Sequence, residues 1–305
     1  MSIRPVQRVI ESKPTLEGAG VKLRRAFGFG QTKEFDPFLL LDDFRNENPE
    51  DYLAGFPWHP HRGIETITYV LAGSVEHGDS LGNKGKMGPG DVQWMTAGSG
   101  ILHQEMPKGD PRGRMHGFQL WANLPASLKM TAPRYQDITS AEIPEITDDD
   151  GTHVRVICGS FWGKSGPVQG VAADPRYLDI AVAPGKRKVL PVETTQHAFA
   201  YVFQGSGTFR DASGPQAVLT EQVGKADASP SPILAMNDIG NRSLVLFGRG
   251  DEVVVQAGEE GIRFLLVSGQ PLEEPVAWHG PIVMNTQAEL QQAFSELRAG
   301  KFIKQ

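Results

Sequence analysis

The segments Trp58-His59-Pro60-His61-Arg62-Gly63-Ile64-Glu65 and Gly100-Ile101-Leu102-His103-Gln104-Glu105 hold three imidazoles and two carboxylates at alternating spacing. On a β-strand alternate residues share a face, so His59 and His61 point one way, and so do His103 and Glu105. Two such pairs on facing strands would set three imidazoles and a carboxylate around one point. That donor set suits a divalent metal such as iron, manganese, nickel, cobalt, copper or zinc, and ligand type alone does not choose among them. Glu65 shares the face of a histidine pair as Glu105 does, so spacing leaves two carboxylates open. A lone strand histidine is usually a hydrogen-bonded structural residue; three at these spacings beside a carboxylate read as a metal site. Other catalytic templates are missing. The chain has no Gly-x-Ser-x-Gly elbow and no Walker sequence, and Gly28-Phe29-Gly30 lacks the third glycine of a dinucleotide loop. Hydrolase, dehydrogenase and NTPase readings drop out.

Glycine and proline (35 and 22 of 305 residues) punctuate short segments rich in Val, Ile, Tyr, Phe and Thr, among them Thr66–Leu71, Asp91–Met95, Leu178–Val182, Phe199–Phe203 and Phe264–Val267. This is all-β patterning of the sandwich or barrel kind. One helix closes the chain: Thr286-Gln287-Ala288-Glu289 is a capping-box pattern, Leu290, Phe294 and Leu297 follow at helical spacing, and Gly300 stands where a cap is expected. Phe56, Trp58, Trp94 and Met95 read as core or pocket wall, with Phe56 and Trp94 the walls that could hold a flat ring. Asp42 and Asp43 read as turn caps or pocket rim, and Asp148-Asp149-Asp150-Gly151 as a solvated turn. His77, His116, His153, His197 and His279 stand ungrouped and read as structural or surface residues.

A weak internal repeat organises the whole. Thr68-Tyr69-Val70-Leu71-Ala72-Gly73-Ser74 aligns with Ala200-Tyr201-Val202-Phe203-Gln204-Gly205-Ser206, and Gly88-Pro89-Gly90-Asp91-Val92 with Gly248-Arg249-Gly250-Asp251-Glu252. In the register of Tyr69 and Tyr201, His59 matches Pro191, His61 matches Glu193 and Glu65 matches His197. Counted from Gly100 and Gly261, His103 matches Phe264 and Glu105 matches Leu266. A metal in the first half and none in the second is the direct reading. The boundary falls in the polar stretch from about Ser140 to Thr152, giving domains 1–145 and 146–305.

A composition of 39% hydrophobic and 22% charged residues belongs to a globular chain that can bury a sizeable core. A net charge of −6 without a cluster of Lys and Arg argues against direct nucleic-acid binding. No apolar run reaches the roughly 18–20 residues of a membrane span, and the opening Met1-Ser2-Ile3-Arg4 has no signal-peptide pattern, so a cytoplasmic location is expected, or a nuclear one in a eukaryote. Cys158, the single cysteine, sits in a strand-like run and reads as a buried, inert thiol.

The run His59-Pro60-His61-Arg62-Gly63-Ile64-Glu65, with Gly73, Gly90, Gly98 and His103 following, resembles the two motifs of the cupin superfamily. More narrowly, the stretches Phe35–Phe44, His59–Gly63, Gly90–Gly98 and Gly117–Trp121, with Glu274–Thr286 near the other end, resemble the pirin family over nearly the whole chain. The resemblance implies two tandem jelly-roll barrels and a metal, iron, held by His59, His61, His103 and Glu105. Glu65 then becomes a neighbour that orients a ligand or water. It also implies quercetin 2,3-dioxygenase chemistry on a flavonol-like substrate with dioxygen, in which the flavonol binds the metal through its 3-hydroxyl and carbon monoxide leaves. Glu105 would accept the substrate proton. The alternative from the same resemblance is a redox-sensing iron protein that regulates transcription or metabolism through a protein partner. A two-barrel protein with a vestigial metal is the third reading.

Overall fold

The computed structural model describes residues 1–210 and 238–304. The first half contributes β1 (Val6–Glu11), β2 (Lys13–Glu17), β3 (Val21–Phe27), β4 (Phe38–Asp43), β5 (Phe56–His61), β6 (Ile64–Ala72), β7 (Ser74–Asp79), β8 (Lys84–Met87), β9 (Val92–Thr96), β10 (Ile101–Lys108), β11 (His116–Asn123) and β12 (Arg134–Ile138), with one turn of helix, α1 (Thr32–Phe35). The second half adds β13 (Glu145–Thr147), β14 (His153–Cys158), β15 (Ser160–Phe161), β16 (Lys164–Ser165), β17 (Arg176–Val182), β18 (Arg187–Pro191), β19 (His197–Arg210), β20 (Ile239–Gly240), β21 (Ser243–Phe247), β22 (Glu252–Gly269), β23 (Ala277–His279), β24 (Ile282–Met284) and α2 (Gln287–Arg298). Each run expected to be a strand is one, and α2 starts on the Thr286–Glu289 capping box. Among the described residues no helix is long and apolar enough to cross a membrane.

The chain forms two cupin barrels. In the first, a sheet ordered β5-β10-β7-β8 faces a sheet ordered β12-β9-β6-β11-β4-β3-β2. The second barrel is built on the sheet β1-β21-β19-β22-β17-β14-β13. The larger sheets of the two barrels pack face to face. Ile67, Tyr69, Trp94, Phe118 and Leu120 from one meet Tyr177, Phe199, Tyr201, Leu265 and Val267 from the other in one continuous core. The central strands β6 and β9 are buried on both faces, with the polar Glu65, Thr66, Thr68, Gln93 and Thr96 interspersed among their apolar residues.

The duplication extends to polar detail. Asp43, Phe118 and Tyr69 lie in one cross-strand row of the first sheet, and Asp179, Leu265 and Tyr201 form the same row in the second. Tyr69 donates to Asp179 (2.6 Å) and Tyr201 donates to Asp43 (3.0 Å), a reciprocal exchange across the interface. Asp42 and Asp43 are both buried on a strand; Asp42 lines the interior of the first barrel, and Asp43 also caps the chain just beyond β4 by accepting from the Arg45 backbone N–H (3.0 Å).

The repeat register needs correction beyond the Tyr69/Tyr201 match. β9 and β21 are counterparts, each paired to the strand carrying its tyrosine. The Gly248–Asp251 loop leads into the Glu252–Ala257 part of β22, which pairs with β18 as β10 pairs with β5, so it matches Ala97–Gly100 rather than Gly88–Asp91. Phe264 and Leu266 accordingly belong to the counterpart of β11, not of β10. On the true counterparts, Leu190, Val253 and Val255 face inward among Phe209, Phe247 and Phe264, filling the second barrel with apolar side chains.

Both termini cross over. β1 pairs with β21 in the second sheet, and the segment after β22 returns to the first barrel, where Val283 packs with Ile64, Met95 and Ile101. A cut at 145/146 therefore does not separate two self-contained barrels.

Candidate metal centre

β5 and β10 are antiparallel neighbours with His59 directly opposite His103, and His61 opposite Ile101. This register brings the three histidines together: one ring nitrogen from each of His59, His61 and His103 lies within 4.8 Å of the others. His59 Nδ1 donates to the Pro57 carbonyl (2.8 Å) and His61 Nδ1 to the Pro281 carbonyl (3.1 Å). With Nδ1 committed as donor, Nε2 of each neutral ring is a lone pair, and the two Nε2 atoms face one another at 3.1 Å. Both nitrogens of His103 are buried without a partner among the described residues. Burial holds the pKa of His59 down and pushes those of His61 and His103 well below the ordinary imidazole value, with the neighbouring imidazoles adding to the effect for His61 and His103. Converging, unprotonated and unsatisfied lone pairs fit a divalent cation, which would satisfy all three.

Glu105 stands on the same face of β10 but outside the histidine cluster. Its Oε1 is 3.0 Å from the Thr68 hydroxyl, which in turn lies 2.8 Å from Oε1 of Gln119. Burial raises the Glu105 carboxyl to about 7, opposed by the Thr68 hydrogen bond. His77, read from sequence as an ungrouped histidine, is directly opposite Glu105 on β7, and its ring centre is 5.4 Å from that of His103. The signal for it was available: His77 and Asp79 alternate on one face of a strand. The pairing of β7 with β10 was not readable from spacing.

His59, His61, Thr68, Glu105 and Gln119 line a cavity of about 560 Å³ inside the first barrel. Its walls include Val21, Leu23, Phe44, Val75 and Met115, and Trp121 meets His61 edge-on with ring centres 5.0 Å apart. Phe56 and the half-exposed Trp58 line the same cavity, and Phe29 stacks on Trp278 at 3.8 Å on its rim. Trp94 does not line it. The indole is fully buried in the core between the barrels, because β9 turns Gln93 and Met95 inward and Trp94 outward. Glu65 also faces away from the histidines. It accepts from the Thr96 hydroxyl (2.7 Å), and burial raises its pKa. The turn at Gly63 between β5 and β6, with φ of +76°, breaks the alternation that would have placed Glu65 beside His61. Cys158 is buried, and burial pushes its thiol up to about 12, too high for a nucleophile.

The returning C-terminal segment braces the site. Besides Pro281 on His61, the fully buried Arg62 donates to the carbonyls of Ser99 (2.7 Å) and Phe302 (2.9 Å), pairs with Glu296 (2.8 Å) and lies 4.2 Å over the Phe302 ring. Lys129 ties Gly63 O to Val283 O, at 2.8 and 3.0 Å. A Cβ on Gly63 would sit 1.9 Å from the Val283 carbonyl oxygen, and one on Gly100 would sit 2.8 Å from that of Phe302. The two glycines flanking the histidine motifs are thus where the C-terminal backbone presses in.

Two cupin barrels packed through their larger sheets, with a histidine cluster and a cavity in the first and an apolar filling in the second, define a bicupin with one candidate metal centre among the described residues. The chain belongs to the pirin family: the Pirin model matches residues 20–122 and the model of the Pirin C-terminal cupin domain matches residues 177–303. It is 43% identical to a pirin-like protein of Caulobacter vibrioides over 303 residues, covering 99% of this chain and 100% of that one. It is 39% identical to human pirin over 302 residues, covering 98% and 94%. Among solved structures, a quercetin 2,3-dioxygenase of Acinetobacter baumannii superposes with a TM-score of 0.83 at 31% identity, covering 98% of each chain.

Proposed function

We propose that this protein is a metal-dependent dioxygenase of the quercetin 2,3-dioxygenase type, with iron(II) as the metal and a flavonol-like molecule as substrate. The observation that carries the reading is the convergence of three histidines held neutral by burial at the end of an apolar cavity sized for a small aromatic ligand, a cavity that Glu105 also lines. The similarity to the A. baumannii quercetin 2,3-dioxygenase supports it.

Nε2 of His59 and His61 and one ring nitrogen of His103 would hold the ion, with Glu105 as the fourth ligand or as its neighbour. Iron held there supplies Lewis acidity and one-electron chemistry toward dioxygen. The protein's own groups do the rest. Trp121 and Phe56 flank the flat substrate, and the apolar floor of Leu23, Phe44 and Val75 keeps water from it. Glu105 takes the proton of the substrate's enolic hydroxyl on its carboxylate, and Thr68 holds that carboxylate in place.

The test is oxygen uptake by iron-loaded protein with quercetin, alongside loss of the flavonol's long-wavelength absorbance. Uptake should require the free 3-hydroxyl, so a flavone lacking it is inert. It should fall to background in His103→Ala, which removes a ligand. Equal bleaching by iron-stripped His59→Ala, or no uptake across a flavonol panel, defeats the dioxygenase reading.

A further inference from the structure

Apart from the histidines and Glu105, one wall of the cavity carries a row of polar side chains across four adjacent strands, set among mostly apolar lining. Arg25 on β3 is directly opposite Asp42 on β4, Asp42 is opposite Gln119 on β11, and Gln119 is opposite Thr68 on β6. All four line the cavity, and Thr68 is the residue that holds Glu105. The far end is an ion pair with unusual surroundings. Arg25 Nε and Nη2 donate to the two oxygens of Asp42 at 2.8 and 2.7 Å, with the aspartate side chain only 5% exposed, and Nη2 also meets Glu17 at 2.7 Å. Among the described residues Nη1 has no acceptor, although it is not enclosed by protein.

A buried ion pair gives little net stability over apolar packing of the same volume, so its presence in the wall of a cavity calls for a binding explanation. The pair is already neutralised by its own partner and by Glu17, so it offers no net positive charge to an anion. What it offers is a donor at Nη1 beside the remaining lone pairs of a carboxylate. A group that accepts from one and donates to the other matches it, and a phenolic hydroxyl does both. Distance selects the ligand's length. Neighbouring strands lie about 4.8 Å apart, so the Asp42 row position is roughly 10 Å from that of Thr68, two strand steps away.

We propose that Arg25 and Asp42 are the distal specificity determinant of the cavity, recognising a hydroxyl on the end of an aromatic substrate remote from the histidines, and so favour polyhydroxylated flavonols over the unsubstituted ring system. This rests on the flavonol reading of the site, and binding rather than turnover tests it. Metal-loaded protein is titrated without oxygen against quercetin and against 3-hydroxyflavone, which keeps the 3-hydroxyl and lacks every other one. The wild type should bind quercetin about tenfold more tightly, the scale of one or two buried hydrogen bonds. Arg25→Met combined with Asp42→Leu removes both charges together, which a core tolerates better than one orphaned charge. It should bring the two affinities together while leaving that for 3-hydroxyflavone within about twofold, whereas general damage to the barrel would weaken both ligands. A wild type that does not distinguish the two flavonols, or a preference that survives in the double variant, overturns the proposal. Oxygen uptake is read separately: a preference lost in the double variant without turnover by the wild type leaves Arg25 and Asp42 as specificity residues and sinks the dioxygenase reading alone.

Discussion

Glu105 carries the proton transfer in the proposed reaction, and its burial has a measurable consequence in the metal-free protein. Its carboxyl is raised from 4.5 to about 7 in the folded state. The folded protein therefore keeps a proton that the unfolded chain has released between those values, so this group's contribution to stability is fully present below pH 4.5 and is lost as pH rises through 7. Glu105→Gln should remove that dependence and make the metal-free protein more stable than wild type at pH 8, by up to about 3 kcal/mol, as read from urea unfolding at pH 5 and pH 8. If Glu105 is a ligand, loading wild type with metal suppresses the same dependence, since the ion replaces the proton. A companion comparison concerns the other carboxylate. Glu105→Gln should weaken metal retention by about 10-fold or more, and Glu65→Gln should leave it unchanged, because Glu65 faces the core between the barrels. Equal losses in elemental analysis would contradict the placement.

The histidine motifs could be read from sequence because period-two alternation survives within a strand: His59 and His61 lie on β5, and His103 and Glu105 on β10. The parity argument failed for Glu65 because it was carried through the Gly63 turn, where alternation restarts. Trp94 was misplaced for a different reason. β9 is buried on both faces, so its side chains alternate between two cores and composition does not say which is the cavity. The glycine-rich turns misled the repeat register, since Gly88-Pro89-Gly90-Asp91 before β9 and Gly248-Arg249-Gly250-Asp251 before the counterpart of β10 share one pattern.

At the scale of elements, the C-terminal hairpin and helix act on a site more than 200 residues away in sequence. Arg62 alone joins Ser99, Glu296 and Phe302. Arg62→Ala leaves the buried carbonyls of Ser99 and Phe302 without their donor, while Glu296 keeps Lys304 and Gln292, and should cost about 1–3 kcal/mol per orphaned carbonyl. Because the next residue N-terminal to it is His61, metal content after dialysis should fall with stability. Gly63→Ala should do the same through a direct clash with the Val283 carbonyl. Full metal content in both variants, measured on folded protein, would show that the segment supports the fold without shaping the site. Nothing in the sequence pointed to this brace, because Gly63 and Gly100 are explained by a neighbour that spacing does not bring near.

For the whole molecule, the two barrels share their largest core and exchange the Tyr69–Asp179 and Tyr201–Asp43 hydrogen bonds. Arg263 holds Asp179 through two contacts (2.9 and 2.7 Å), and Arg45 holds Asp43 (2.7 Å), so each tyrosine donates to a carboxylate already fixed in place. Tyr69→Phe and Tyr201→Phe should each cost about 1–3 kcal/mol, and calorimetry should still show one unfolding transition, since the core between the barrels and the crossed termini tie the two together. Two separate transitions in wild type would sever the argument for a shared core.

The exchange of termini sets an order on synthesis. His61 is held by a carbonyl 220 residues later in the chain, an interval that a ribosome working at about 5–20 residues per second covers in roughly 10–45 s. Through that interval β5 and β10 can pair, but the imidazole of His61 lacks the acceptor that fixes its tautomer, and β1, the first strand made, waits for β21. The candidate metal centre of the nascent chain therefore stays incomplete until the C-terminal segment folds back. On the metal-binding reading, a ribosome-bound chain stalled before Pro281 should capture metal weakly, and one extended beyond Phe302 should capture it well.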